Sequence, residues 1–346
     1  MDSEPPNDPG AWLAFLAGRG ARLGAGGVAD FGALGEELAA ARDATIRADL
    51  SPNALIAASG DDAAQFLHAQ FTNDVLALSP GMAQWNGWCS AKGRLLATFL
   101  LLRRADGFLM MLPQEIAPAV AKRLGMFVLR SKVKLQDAGA RHVRMGLAGT
   151  GAAAIAARHF GQAPAPMASV ERDGATCVAL DETRFVVLAA PESAPALWDA
   201  LAQEARPAAT AAWDWTSIRA GIPTIVAATQ EAFVPQMANL DLVGALSFRK
   251  GCYPGQEIVA RTQYRGILKR RMALAHADAE VAPGDAVYSA AFGEQAAGEV
   301  ANAAPAPGGG ADFRVVAQIE SLRHADLRLG TPDGPPVTLR SHPAIA

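Results

Sequence analysis

Apolar and polar residues follow two rhythms along this chain. At residues 31–47 the spacing of Leu34, Leu38, Ala41 and Ile46 predicts an amphipathic helix. Residues 53–59 read as a strand, Gly60-Asp61 as a turn and helix cap, and 62–70 as a helix with Ala63, Phe66, Leu67 and Gln70 near one face. Apolar runs at 85–89 and 95–102 predict two strands around Ala91-Lys92-Gly93-Arg94, with a third at 108–112. Pro113 suits the first turn of a helix reaching about Phe127. The mixed pattern then recurs: a strand at 143–148, a helix at 152–160, a hairpin at 175–180 and 184–190, and helices at 195–204 and 210–220. Gly221-Ile222-Pro223 stops the last of these. Strands and helices do not alternate one-to-one, so an α+β arrangement is expected and a doubly wound parallel sheet is not.

The two ends read differently. Residues 1–30 are rich in Gly, Ala and Pro and predict a loose leader with a short helix around 11–17. Beyond Lys269, short apolar segments at 271–275, 285–288, 297–300, 314–319, 327–329 and 337–339 are separated by Pro/Gly-rich turns such as 304–310. That pattern predicts a small β-barrel or sandwich. The expected organisation is a leader and helix over 1–45, an α+β body over 46–270 and a β-barrel over 271–346.

Composition narrows the function classes. The 346 residues suit about two domains, and 51% hydrophobic against 19% charged residues excludes a disordered chain. No apolar run approaches the ~20 residues of a membrane span. The start Met1-Asp2-Ser3-Glu4-Pro5-Pro6 is acidic and proline-rich, unlike a secretory or transit signal, which leads to an expected cytoplasmic location. Three cysteines (Cys89, Cys177, Cys252) lie far apart without a Cys-x-x-Cys pair, and six histidines (68, 142, 159, 276, 324, 342) are scattered. Neither a disulfide framework nor a metal site is readable from such spacing.

Charge is distributed unevenly. Residues 248–272 hold seven basic residues and one acid, a local charge of +6 in a chain of net charge −3, so the remainder carries −9. Such concentration points to an anionic partner: polyglutamate, phosphate or RNA. Cys252 sits among these charges in a Gly-rich loop, after Arg249 and Lys250 and before a helix expected to begin near Pro254-Gly255, a setting that favours a reactive or ligand-binding thiol. Cys177, in an apolar string, reads as core. A second motif, Gly149-Thr150-Gly151-Ala152-Ala153-Ala154 with Glu171 downstream, fits a dinucleotide-binding fingerprint. The hairpin that follows lacks the βαβ crossover this motif needs, and an Ala/Gly-rich chain produces the string by composition.

The block Lys250-Gly251-Cys252-Tyr253-Pro254-Gly255-Gln256-Glu257 matches K-G-C-Y-x-G-Q-E, and at this point the chain resembles the YgfZ family of folate-binding proteins. These are relatives of the glycine-cleavage T-protein, an aminomethyltransferase, and of a mitochondrial iron–sulfur assembly factor. Three further blocks fit: Gln70-Phe71-Thr72-Asn73-Asp74-Val75, Cys89-Ser90-Ala91-Lys92-Gly93-Arg94, and Ala220-Gly221-Ile222-Pro223 followed by Phe233-Val234-Pro235-Gln236 and Asn239-Leu240. The resemblance spans about residues 50–272. It implies a T-protein-like body around a central opening for tetrahydrofolate, with the C-terminal segment in the place of the family's β-barrel. It also implies Trp213 against the folate, Cys252 as the functional thiol, and Arg261 and Arg265 on a glutamate tail. The other motif residues, Asn73, Asp74, Lys92, Arg94, Arg219, Lys250, Tyr253, Gln256 and Glu257, carry over as cofactor-binding positions.

Two departures alter what the resemblance implies. The tract 92–99, Lys-Gly-Arg-Leu-Leu-Ala-Thr-Phe, lacks the aspartate that aminomethyltransferases place at the reacting nitrogen. Arg219 fills the slot where the family usually carries a pterin-binding glutamate, and an arginine cannot accept the ring's N–H groups, so the alternatives are a different mode of folate binding, weak binding, or binding only with help from Glu231 or Asp74. The expected function is thus a folate-binding factor supporting iron–sulfur cluster assembly or repair and, through cluster enzymes, tRNA modification. Its expected partners are a folate-type small molecule and iron–sulfur proteins or assembly factors, with direct tRNA contact open, no membrane and no tightly bound metal. The alternatives are a tetrahydrofolate-dependent one-carbon transferase and an RNA-binding module using 249–271. A shared redox or cluster-contact role for Cys89 with Cys252 is conceivable, but free cysteines are usually packing residues, and that is the favoured reading of Cys89.

Overall fold

In the computed structural model, which describes residues 9–24, 27–264 and 268–341, three larger sheets organise the chain. The first is antiparallel throughout, in the order Ala83–Cys89, Leu95–Arg104, Gly107–Pro113, Asn53–Ser59, Lys134–Asp137. Its second strand, Leu95–Arg104, is apolar on both faces because both are covered. Ala97, Phe99 and Leu101 pack on the helix side with Phe66, Leu67 and Val120, whereas Leu100 and Leu102 face a second sheet. Thr98 shares that second face.

The second sheet runs Ser169–Arg172, Ala175–Ala179, Arg184–Ala189, Val143–Ala148, Ile46–Asp49, Arg206–Ala208, with only the last pair parallel. Met145, Leu147, Phe185 and Val187 point outward under the helices Pro9–Gly18, Ala152–Phe160 and Ala194–Leu201, while Ala148, Val186 and Leu188 point to the first sheet. Helix Thr210–Ala220 lies in the space between, with Ala212, Trp213, Trp215, Thr216 and Ile218 all buried. A helix covered on several sides shows little amphipathic periodicity, and this one was legible instead through its terminator, where Gly221 adopts φ +87°.

The third sheet is the curled, half-barrel sheet of the C-terminus: Arg328–Leu329, Ala286–Tyr288, Gly298–Pro305, Ala311–Gln318, Arg270–Ala277, Thr338–Ser341, antiparallel throughout. It docks on the Thr210–Ala220 helix. Trp215 Nε1 donates to Asp312 Oδ2 at 2.9 Å, and Arg314 Nε donates to the carbonyl of Ile218 at 2.7 Å.

Several expectations are corrected locally. The short helix expected near 11–17 is present as Pro9–Gly18, and with the paired strands Arg22–Gly24 and Gly27–Asp30 it is packed rather than loose, because Trp12 and Leu16 are buried with Trp198 and Trp12 Nε1 donates to Asp49 at 2.8 Å. The first amphipathic helix is Leu34–Asp43, and Ile46 belongs to a fully buried strand. Pro113 ends a strand. The helix starts at Ala117 with Pro118 in its first turn. Gly149 and Gly151 serve packing, since a Cβ on Gly149 would meet the carbonyl oxygen of Ala44 at 2.1 Å and Gly151 N–H donates to Thr45 Oγ1. The strand before them pairs antiparallel on both sides, so no dinucleotide-binding crossover exists there.

Candidate functional site

The sequence blocks meet at two neighbouring places. In the first, the turn of the Cys89–Arg94 block packs against the start of helix Gln256–Tyr264 through two glycines. Gly93 (φ +68°) and Gly255 (φ +78°) approach so closely that a Cβ on Gly255 would lie 2.6 Å from the Gly93 Cα. Glycine at both positions is therefore required by backbone contact as well as by the left-handed turn. Arg94 Nη1 donates to the carbonyls of Glu231 and Ala232, so it ties the hairpin to the next loop, and Lys92 is exposed at the hairpin tip. Gln236 and Asn239 hold helix Gln256–Tyr264 and strand Arg270–Ala277 by donating to Val259 O and Met272 O.

Around Cys252 the loop is pinned by charge. Lys250 Nζ donates to the carbonyls of His68 and Phe71 and lies 4.9 Å above the Tyr253 ring; burial pushes its pKa down to about 8. Tyr253 is buried and its hydroxyl pKa is raised by that burial. His68 Nδ1 approaches Asp74 Oδ1 at 3.2 Å, an ion-pair distance without hydrogen-bond alignment. Burial and Lys250 lower the pKa of His68. A Cβ on Gly251 would lie 3.7 Å from His68 Nε2, so the imidazole borders the cysteine's loop. His68 is a member of this cluster that sequence spacing did not single out. Cys252 is exposed; Cys89 and Cys177 are buried, and burial pushes both of their thiol pKa values up to about 12. That burial removes the basis for a joint role of Cys89.

Other carried-over residues have structural duties. Asn73 Nδ2 donates to Trp85 O at 3.0 Å and Gly244 O at 2.7 Å, and Asp74 accepts from the backbone of Leu76 and Ala77. Gln256 Oε1 accepts from Tyr253 N–H, while Glu257 and Arg261 are exposed on the helix. Arg265 lies outside the described residues. Of the basic segment, Lys250 is held as above and Arg271 pairs in two-pronged fashion with Asp241 at 2.7 and 2.8 Å, while Arg249, Arg261 and Lys269 are exposed.

The second place is a central cavity between the first sheet, the second sheet and helix Thr210–Ala220. It offers about 90 Å³ of water-reachable space, about 590 Å³ with its mouth included. Trp85, Thr98, Trp213, Asp214, Ser217 and Thr224 are among its walls. Trp213 is buried with its ring against Gly146, where a Cβ would meet Trp213 Cε3 at 2.4 Å. Asp214 lines the cavity but is exposed in the folded chain, and it accepts no hydrogen bond from any described residue. Desolvation alone pushes its carboxyl up to about 7. Arg219 is on the opposite side of the helix, 5.9 Å over Trp215 and 3.8 Å from Asp312. It is not a cavity residue, nor are Glu231 and Asp74, the acids expected to compensate for it. The cavity acid is Asp214, which sequence reasoning missed.

Among the described residues no three His, Cys, Asp or Glu side chains gather as a metal-binding group, and no helix is long and apolar enough to cross a membrane.

Comparison with known proteins places this geometry in a family. Residues 28–247 match the GCVT N-terminal domain. The chain is 35% identical over 225 residues to tRNA-modifying protein YgfZ of Cronobacter sakazakii, covering 63% of this chain and 67% of that one. It is 34% identical over 222 residues to the protein of the same name from Escherichia fergusonii, covering 63% and 68%. In fold it is similar to the glycine cleavage system aminomethyltransferase T of Bartonella henselae, with a TM-score of 0.78 over 96% of both chains at 18% identity. On its central domain, its motif blocks and these relatives, the chain belongs to the YgfZ family and is built on the GCVT domain.

Proposed function

We propose that this chain binds a reduced folate in the central cavity and, with Cys252 at the neighbouring basic loop, supports iron–sulfur enzymes, including those that modify tRNA. The observation that carries the reading is the cavity itself, which combines two indoles, Trp85 and Trp213, with one free carboxyl, Asp214. Flat aromatic walls suit a pterin, and a free acceptor suits its N–H edge. A reduced folate, when bound, supplies a carrier of one-carbon units. The chain's own residues bind and orient it, because tract 92–99 brings no carboxylate to the reacting nitrogen: of its two cavity residues, Phe99 is apolar and Thr98 is engaged as an acceptor for Ile225 N–H. That favours a binding factor over an aminomethyltransferase. The tRNA branch of the reading rests on the name of the relatives.

Titration of the purified protein with tetrahydrofolate tests the ligand. Tryptophan fluorescence is expected to change saturably, and Trp213→Phe to remove most of the change. No saturable signal, or an identical one in Trp213→Phe, overturns the assignment. Cys252→Ser is expected to keep folate binding yet fail to restore cluster-dependent tRNA thio-modification in a strain lacking the protein.

A further inference from the structure

Arg219 is the motif residue that the folate reading leaves unused. On the side of helix Thr210–Ala220 away from the cavity, it lines a recess of about 410 Å³ between that helix and the C-terminal sheet. Arg42, from helix Leu34–Asp43, and Arg340, from strand Thr338–Ser341, line it too, so guanidiniums converge from three separate elements. Asp312 is the one acid among the lining residues, which leaves an excess of two positive charges in a chain whose net charge is −3. That excess is not relieved from within. Asp312 is buried and already committed, since its Oδ2 accepts from the Trp215 indole and its Oδ1 lies 2.9 Å from His276 Nδ1. Arg219 Nη1 stands 3.8 Å from that carboxylate, beyond hydrogen-bond reach. Among the described residues the Arg219 guanidinium has no hydrogen-bond acceptor, and Arg340 has neither acceptor nor ion pair. Arg42 leans on its neighbour Asp43 at 2.7 and 2.8 Å, an exposed pair that a better-placed anion can exchange. Arg314 adds charge from behind: it is buried, and its protonated form is disfavoured by that burial and then by Arg219.

We propose that this recess binds a phosphate monoester, held by Arg219 and Arg340 with Arg42 as a third contact. The dianion of a monoester matches the excess of two charges, whereas a phosphodiester or a single carboxylate carries one. Arginine presents a planar fork of N–H donors that meets phosphate oxygens two at a time. An anion among the arginines also offsets the repulsion between Arg219 and Arg314. Leu274 and Pro307 supply apolar wall beside the charges, and the recess is far larger than one phosphate, so there is room for the organic group of the ester. A small phosphorylated compound and the 5′-phosphorylated end of an RNA strand share this chemistry. The site lies across the helix from the folate cavity, so the two readings stand or fall separately. No covalent step is involved.

The test is isothermal titration calorimetry of the whole chain with adenosine 5′-monophosphate, adenosine and triglutamate, and with an RNA hexamer carrying or lacking a 5′-phosphate. The nucleotide is expected to bind, more weakly as salt rises, and adenosine, which lacks the phosphate, is not. Arg219→Gln and Arg340→Gln are each expected to weaken the nucleotide roughly tenfold, the worth of one charge-assisted hydrogen bond. Arg130→Gln, at an exposed arginine outside the recess, is expected to leave its affinity unchanged. All three replaced side chains are exposed, and thermal melts establish that the variants are folded. Tighter binding of the phosphorylated hexamer than of the nucleotide assigns the site to an RNA end, and weaker binding assigns it to a small molecule. The proposal is overturned if neither the nucleotide nor the phosphorylated hexamer binds, or if Arg130→Gln and Arg219→Gln lose the same affinity. Equal binding of the two hexamers, or triglutamate binding as tightly as the nucleotide, overturns the choice of a monoester. Displacement of the nucleotide by tetrahydrofolate would move it to the cavity and overturn the site while leaving the folate reading in place.

Discussion

At the scale of single residues, function is concentrated where a side chain lacks partners of its own. Lys250, Asn73, Arg94, Gln236 and Asn239 all belong to motif blocks, and each is occupied by backbone carbonyls of the same chain. Cys252 and Asp214 are different, the one exposed beside a held lysine and the other free in a cavity. The Asp214 carboxyl also has a stability signature. Its folded-state pKa of about 7 lies above the ordinary 3.8, so between those values the folded protein keeps a proton that the unfolded chain has released. Stability tied to this group is therefore present at low pH, falls as pH rises toward 7 and stays lowered above it. Asn cannot ionise. Asp214→Asn is expected to melt higher than wild type at pH 8, by roughly 1–3 °C given that cavity water screens the charge, and to match it near pH 4. A difference in melting temperature that does not change with pH would show that Asp214 is not desolvated. The gain should vanish when tetrahydrofolate is present, because the ligand stabilises wild type more strongly.

Among the elements, what the sequence reveals depends on how many faces a segment buries. Strands Asn53–Ser59 and Val143–Ala148 and helices Ala152–Phe160 and Thr210–Ala220 were legible with their bounds, since apolar runs and Gly/Pro terminators mark them directly. Short edge strands such as Lys134–Asp137 and Arg206–Ala208 were missed because partly exposed, charged segments of three or four residues have no period to detect. The site divides in the same way. The Cys252 loop is written in contiguous motif residues, but His68 reaches it from a separate helix and Asp214 reads, in sequence, as a lone acid on an indistinct helix. Only the packing of two sheets about that helix places it at the cavity wall. Gly146 records the same packing: its backbone is outside the left-handed region, so alanine is conformationally acceptable, yet the added Cβ would meet Trp213 Cε3 at 2.4 Å. Gly146→Ala is expected to cost about 1–3 kcal/mol in denaturant melts and to weaken tetrahydrofolate binding. Combining it with Trp213→Leu should recover part of the lost stability but none of the binding. A Gly146→Ala protein with wild-type stability and affinity would mean that the indole can move without consequence.

For the molecule as a whole, the C-terminal sheet bears on the cavity without contributing a wall to it. The helix that bears Trp213 and Asp214 is fixed at its far end by that sheet, where buried Arg314 donates to Ile218 O at 2.7 Å and to Arg219 O at 3.2 Å. These are carbonyls of a helix terminus, which need external donors. Arg314 is charged under strain, its pKa lowered to about 10 by burial and by Arg219 and raised in turn by Asp312. Asp312 also takes the Trp215 indole N–H and lies 2.9 Å from His276 Nδ1, so one buried cluster couples helix to sheet. Arg314→Met preserves length and apolar contact but leaves the two carbonyls unpaired, an expected loss of about 1–3 kcal/mol. With the helix less firmly seated, tetrahydrofolate affinity should fall severalfold. Equal affinity in Arg314→Met and wild type, in a protein shown by melting to be destabilised, would confine the C-terminal sheet to a purely structural role.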